Sequence, residues 1–350
     1  MDQSGPRGLA LFRSEHYLSP DMQRPVEVWW GSEQEAEHLH RRQMINSTDF
    51  SSFTLAAYSD RDRSESWSAL VIMFLYVLIV SSNLFLLVVI GLNRSLHEPM
   101  YLFLCSLFVN ELYGSTALFP LLLVQVLSEV HTVSVPFCFL QVFCVYTYAN
   151  VEFCNLAVMS YDRYLAICFP LHYNTLMTSN RVAVLIAVIW LYPVLGITGL
   201  ISLSASLQRC GNVINKVYCA NYSIVKLACS DTAANNVYGM VYTAVTICVV
   251  LFILYTYMRI LRVCFSGSKQ TRQRAVSTCT PHVASLLNFS CGCFFEIIQS
   301  RFDMVHVPPM VRIFLSLYWL TCQPLFNPVV YGLNLTKIRS LCKNLLLSKV

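Results

Sequence analysis

The sequence predicts an all-α membrane protein: a bundle of seven transmembrane helices with a short amphipathic helix 8 lying on the cytoplasmic face. Three observations carry that prediction. Of the 350 residues, 56% are apolar and only 12% are charged, too few charges to clothe a soluble globule of this size. Several apolar runs exceed the roughly 20 residues that cross about 30 Å of hydrocarbon as a helix. Those runs also lack the in-out alternation of a barrel strand, the other architecture that satisfies its backbone inside a bilayer.

Residues 1–65 read as a polar, charge-rich extracellular tail with no apolar stretch that could serve as the core of a signal peptide. Asn46-Ser-Thr48 within it is a glycosylation sequon. The membrane-spanning body covers residues 66–333, with seven apolar segments at about Trp67–Leu92, Pro99–Leu127, Pro136–Tyr164, Arg181–Leu203, Ala233–Val263, Arg274–Gln299 and Pro308–Gly332. Pro99 suits the first turn of a helix, where its missing N–H costs nothing. Residues 334–350 form a tail in which Leu335–Leu347 mixes Lys and Arg with Leu and Cys, the pattern of a helix lying on an anionic leaflet.

An odd number of spans puts the two ends on opposite sides of the membrane. With the N-terminus outside, the inner connections and C-terminal tail carry twelve Lys and Arg residues against five in the outer loops; the remaining seven sit in the N-terminal tail, which can translocate with its charges. The excess of basic residues on one side therefore predicts an extracellular N-terminus.

Several residues stand out by chemistry alone. Asp162 and Arg163 lie side by side at the end of the third segment, an arrangement open to a snorkelling interface pair or to a functional one. Glu111 lies inside the second segment, where a carboxylate needs a polar cavity, a proton or a cation. Pro328 in the seventh removes a backbone hydrogen bond and predicts a kink or hinge. Of the 15 cysteines, Cys138, Cys210, Cys219 and Cys229 lie outside or at the edge of the apolar runs, where an oxidising compartment would pair them. No His/Asp/Glu group has metal-ligand or triad spacing, so the chain does not read as an enzyme. A transporter or proton channel would need paired intramembrane ionisable groups, and Glu111, Glu152, Glu296 and His282 read as scattered among different depths.

The run Val158-Met-Ser-Tyr-Asp-Arg-Tyr-Leu-Ala-Ile-Cys168, continued by Phe169-Pro-Leu-His-Tyr173, resembles the third-helix signature of rhodopsin-like G-protein-coupled receptors in the wording of olfactory receptors. Leu96-His-Glu-Pro-Met-Tyr101 resembles that family's first intracellular loop, Arg274-Ala-Val-Ser-Thr-Cys-Thr-Pro-His-Val283 its sixth-helix signature, and Asn327-Pro-Val-Val-Tyr331 the Asn-Pro-x-x-Tyr ending of the seventh helix. Phe289-Ser-Cys291 departs from the usual Phe-Tyr-Gly, which puts the family's toggle in doubt. Met44-Ile-Asn-Ser-Thr-Asp-Phe resembles the start of an olfactory receptor, so residues 1–43 read as an extension and Met44 as the natural initiator.

The resemblance implies an odorant receptor that binds a small molecule in the outer half of the bundle and raises cyclic AMP through a stimulatory, olfactory-type heterotrimeric G protein. It implies a multi-pass protein of the plasma membrane, in cilia of olfactory sensory neurons, with membrane lipid and a receptor-transport chaperone as further partners and no nucleic acid. A non-olfactory rhodopsin-like receptor for a small metabolite is the alternative. Arg163 would be freed towards the G protein when the sixth helix moves, with Asp162, Tyr257, Arg274, His282, Asn327, Pro328 and Tyr331 as the other switch residues. Asn83 and Asn327 would join Glu111 in a polar core, either a neutral hydrogen-bonded network or a site for a sodium ion; no other cofactor is implied. The pairs Cys138–Cys219 and Cys210–Cys229 would clamp the long second outer loop, and Asn221 would be a second glycan site beside Asn46.

Offsets from the motifs give a ligand pocket of Val145, Tyr146, Ala149, Asn150 and Phe153 on the third helix and Val241, Tyr242 and Val245 on the fifth. Cys293, Phe294, Ile297 and Arg301 on the sixth and Leu317 and Leu320 on the seventh complete it. The set is apolar and aromatic with few polar groups, as suits a small-molecule site. Val145 stands where amine receptors carry an acid, so a cationic amine is not expected. Arg301 is open to two readings, a carboxylate partner or a rim arginine beside Asp303.

Overall fold

The structure is a computed structural model; it describes residues 50–58, 65–266, 269–301, 309–335 and 337–341. Asn46, Met44 and the expected extension lie outside the described residues, as do the side chains of Arg274 and Arg301. Seven long helices follow one another: α1 Glu65–Leu92, α2 Pro99–Leu127, α3 Val135–Cys168, α4 Ser179–Ala205, α5 Ala233–Ser266, α6 Lys269–Arg301 and α7 Pro309–Asn334. Each contains a stretch long and apolar enough to cross a membrane. Residues 337–341 are again helical, within the expected amphipathic segment.

The local chemistry accounts for several boundaries. Pro99 occupies the first turn of α2. The Thr178 side chain caps α4 by accepting the Arg181 N–H. Apolar side chains such as Leu70, Phe74, Leu195 and Val241 face outward, as they must where lipid is the solvent.

Helix α3 is the axis of the bundle, packing against α2, α4, α5 and α6, while α7 packs on α1, α2 and α6. Close approach is set by small residues. A Cβ on Gly114 would lie 2.4 Å from the Tyr148 ring, and one on Gly292 would lie 2.6 Å from the Trp319 Cβ and 3.1 Å from its Cα. Gly239, in contrast, has nothing within 4 Å. Gly292→Val should therefore lower surface expression sharply, by overpacking of order 1–3 kcal/mol, while Gly239→Val should leave it near wild type; flow cytometry of tagged receptor checks the contrast.

Pro328 lacks the N–H that would bond the carbonyl of Pro324, four residues earlier. Asn83 on α1 supplies the replacement: its Nδ2 donates to that carbonyl at 2.9 Å. The amide of the neighbouring Asn327 is engaged in the polar core instead.

The all-α expectation needs one addition. Ser52–Leu55 forms strand β1, Thr132–Ser134 forms β2 and Val213–Ile214 forms β3, in the order β2-β1-β3. Phe53 pairs antiparallel with Val133, and Leu55 pairs parallel with Ile214. Phe53 and Leu55 are fully buried, so the end of the stretch expected as a polar tail is the central strand of a cap on this end of the bundle. This loop end of the bundle lies opposite the Arg163 end.

Candidate functional site

Three assemblies line up along the bundle. At the Arg163 end, Asp162 is fully buried and accepts from the Arg163 guanidinium twice, once from Nε at 2.9 Å. Its other oxygen accepts from the Tyr173 hydroxyl at 2.7 Å. Burial and that hydrogen bond hold the Tyr173 phenol above its ordinary pKa, so it stays a donor. Arg163 is thus held locally by a carboxylate that is itself held by the short helical turn Tyr173–Leu176. Tyr257 is buried with its hydroxyl unpartnered, and Tyr331 is fully buried and hydrogen-bonded to His282 Nδ1 at 3.1 Å.

In the middle, α2, α3, α6 and α7 bring together a polar core. Asn327 Nδ2 donates to Glu111 and, at 2.9 Å, to Glu152; its Oδ1 accepts from Ser285 at 2.8 Å. Glu152 also accepts from Gln323 at 2.9 Å and Asn110 at 3.1 Å, and Glu111 accepts from the Tyr148 hydroxyl at 3.0 Å. Both carboxylates are fully buried. The reading of Glu111 and Glu152 as scattered is therefore corrected: they share Asn327. Asn83 does not bond Glu111, because its amide serves Pro324 and Ile79. Two buried carboxylates this close need one charge neutralised, by a proton or a cation.

Above the core lies an aromatic floor. Tyr148 stacks on Trp319 at 6.0 Å between ring centroids, and Phe289 meets Phe153 at 4.9 Å. Sequence reasoning found Phe153 and named Glu152 without its partners, but missed Tyr148 and Trp319. The available signal was spacing, since Tyr148, Glu152, Asn155 and Met159 recur every three or four residues along one face of α3.

At the loop end the pocket positions divide. Val145, Phe153 and Leu320 are buried, and Tyr146, Ala149, Asn150, Cys293 and Leu317 are half-buried. Val241, Val245, Phe294 and Ile297 are exposed on outward faces and do not line the bundle interior. Tyr242 turns to α4, stacking on Tyr192 at 5.7 Å. One position along a helix rotates a side chain by about 100°, and that small offset accounts for these misplacements. Inward from α5 it is Thr246 that reaches α3, by a hydrogen bond to Asn150 Oδ1 at 3.3 Å.

On α6 it is Glu296 that faces the connection between α4 and α5, accepting from Lys216 and, at 2.7 Å, from the Tyr218 hydroxyl. Burial first, then the neighbouring Glu296 charge, raise the Tyr218 phenol well above its usual pKa. That connection carries both disulfides, Cys138–Cys219 and Cys210–Cys229, with Cα separations of 5.5 and 5.6 Å. The Asn221 side chain is buried and accepts from Ser204 at 2.6 Å, a poor position for a glycan acceptor.

A seven-helix bundle with a buried Asp-Arg pair at one end and a disulfide-clamped cap at the other defines a membrane receptor of rhodopsin-like fold. Squid rhodopsin, in its crystal structure, superposes with a TM-score of 0.65 over 81% of this chain and 82% of that one, at 16% identity. A family profile described as "Olfactory receptor" matches residues 72–349. Human "Olfactory receptor 52K1" is 31% identical over 84% of this chain and 95% of its own length, and human "Olfactory receptor 51G1" 33% identical over 85% and 93%. The chain belongs to the olfactory receptor family. It is a multi-pass G-protein-coupled receptor, a signalling protein rather than an enzyme, with a small-molecule ligand and a heterotrimeric G protein as its partners.

Proposed function

We propose that the loop end faces outside and takes a small, mainly apolar odorant between α3, α5, α6 and α7, and that the Arg163 end engages a stimulatory, olfactory-type G protein and raises cyclic AMP. The observation that carries this reading is the continuous path from the aromatic floor through the Tyr148–Glu111 hydrogen bond to Asn327 on α7, the helix whose Tyr331 ends beside His282. A ligand that repacks Tyr148 or Trp319 changes a network shared by four helices. It shifts the equilibrium only by binding the active arrangement better than the resting one.

Excess positive charge at the Arg163 end supports the orientation. The family points to sensory cilia as the site and to a receptor-transport chaperone for delivery. The paired carboxylates that a transporter would need are present, but membership of a receptor family decides between the readings.

Between Glu111 and Glu152 the reading places a sodium ion in the resting receptor. The fit rests on the two carboxylates together with Asn110 Oδ1, a buried oxygen without a hydrogen-bond partner. Hard cations take oxygen ligands, and there the ion would supply positive charge.

A cyclic AMP reporter in cells expressing the full chain with a transport chaperone tests the function against small acids, alcohols, aldehydes, ketones and amines. A saturable response to an uncharged or acidic odorant is expected. A response confined to amines, or a response that survives loss of the G protein, would overturn the reading.

A further inference from the structure

A cavity of about 350 Å³ lies at the loop end between α1, α2 and α7. Each helix gives it a stripe at helical spacing: Ser68, Val71 and Ile72 from α1, Leu122 and Val126 from α2, Ile313 and Leu317 from α7. Its volume is at the small end of ligand sites. Among the described residues no charged side chain lines it, and Tyr58 and Ser68 bring the polar side-chain atoms.

Two independent features fix its access. The roof is built: Tyr58 donates to the Val217 carbonyl at 2.9 Å and stacks on His131 at 5.1 Å, β1 is pinned between β2 and β3, and Cys219, two residues beyond Val217, is bridged to α3. The flank is not built: at the rim, Trp67 is 76% exposed and Val71 55% exposed, both at the start of the membrane-spanning stretch Trp67–Leu92. A cavity roofed by β1, Tyr58 and Val217 and open beside a lipid-facing helix offers its described flank to the bilayer. Leu317 belongs both to this cavity and to the expected odorant pocket, so the two adjoin.

We propose that this cavity is a lateral entry and holding site for uncharged aliphatic molecules dissolved in the membrane, medium-chain alcohols or aldehydes, which reach the receptor between α1 and α7. The inference deepens the odorant reading by naming a route and a chemical class, and its test reads binding without signalling, so that either can fail alone. Carboxylates and amines are disfavoured, because among the described residues the chamber offers a charged head no counter-charge.

The test is photolabelling of the full chain in lipid nanodiscs with an aliphatic alcohol bearing a diazirine, followed by peptide mapping. Label is expected to concentrate on the Ser68–Ile72 and Ile313–Leu317 segments. An excess of the plain alcohol, about tenfold above its dissociation constant, should suppress most of that labelling while leaving label at Leu195, an exposed residue of α4, unchanged. Leu122→Trp, which fills the cavity, should reduce the site-specific label similarly. The competition in the wild-type chain stands even if that variant misfolds. Labelling at Ser68–Ile72 that is no more competable than at Leu195 overturns the proposal, as does a site saturated by an acyl-chain diazirine phospholipid but not by the free alcohol.

Discussion

Arg163→Ala leaves the receptor at the cell surface and abolishes its agonist-driven cyclic AMP response. The side chain is 15% exposed, and its ion-pair partner among the described residues is Asp162. Removing it opens no cavity in the apolar core, and Asp162 retains the Tyr173 hydrogen bond. The bundle therefore loses little, while the face proposed to meet the G protein loses the guanidinium that Asp162 holds in place, a group that stays charged at any physiological pH. Coupling between ligand and effector sites is typically 1–3 kcal/mol, roughly 5- to 150-fold, so its loss takes the response to baseline. Arg163→Lys keeps the charge but not the forked geometry with Asp162, and should recover only part of it. Cyclic AMP output normalised to surface receptor is the measurement; an unchanged response in the alanine variant would remove Arg163 from the mechanism.

That prediction was available from the sequence because the Asp162-Arg163 pair lies at a helix end within a run of distinctive residues. The seven spans were equally legible, since lipid demands long apolar helices and the runs announce themselves. What stayed hidden is tertiary. Strand β1 is four residues long, and its partners lie near residues 133 and 213, so neither its pairing nor its burial has a local signal beyond the alternation of Phe53 and Leu55. Asn83 looked like a partner for Glu111, but the missing N–H of Pro328 leaves a carbonyl that its amide fills instead. Glu152 carries no motif, and its meeting with Glu111 exists only once α2, α3 and α7 are assembled. Val241 and Val245 illustrate the opposite limit: offset from a motif finds the right turn of a helix without fixing the face.

Cys138→Ser and Cys219→Ser should each retain the receptor inside the cell, to the same extent, and the double variant should be no worse than either single one. Both sulfurs are fully buried beneath the cap, where Cys219 N–H also donates to Gln141 at 2.9 Å. The bridge closes a separation of 81 residues, against 19 for Cys210–Cys229. In the chain-entropy account these loops constrain the unfolded chain by about 4.5 and 3 kcal/mol respectively. The first bridge also holds Val217 and Tyr218 in place, hence the roof over the cavity between α1, α2 and α7 and the donor to Glu296. Cys210 and Cys229 are exposed, and their loss disturbs only the loop that carries them. Surface expression should therefore fall steeply for Cys138→Ser and moderately for Cys210→Ser. The reverse order would mean that the outer clamp, rather than the bridge to α3, organises the loop end, and that the cap folds independently of the bundle beneath it.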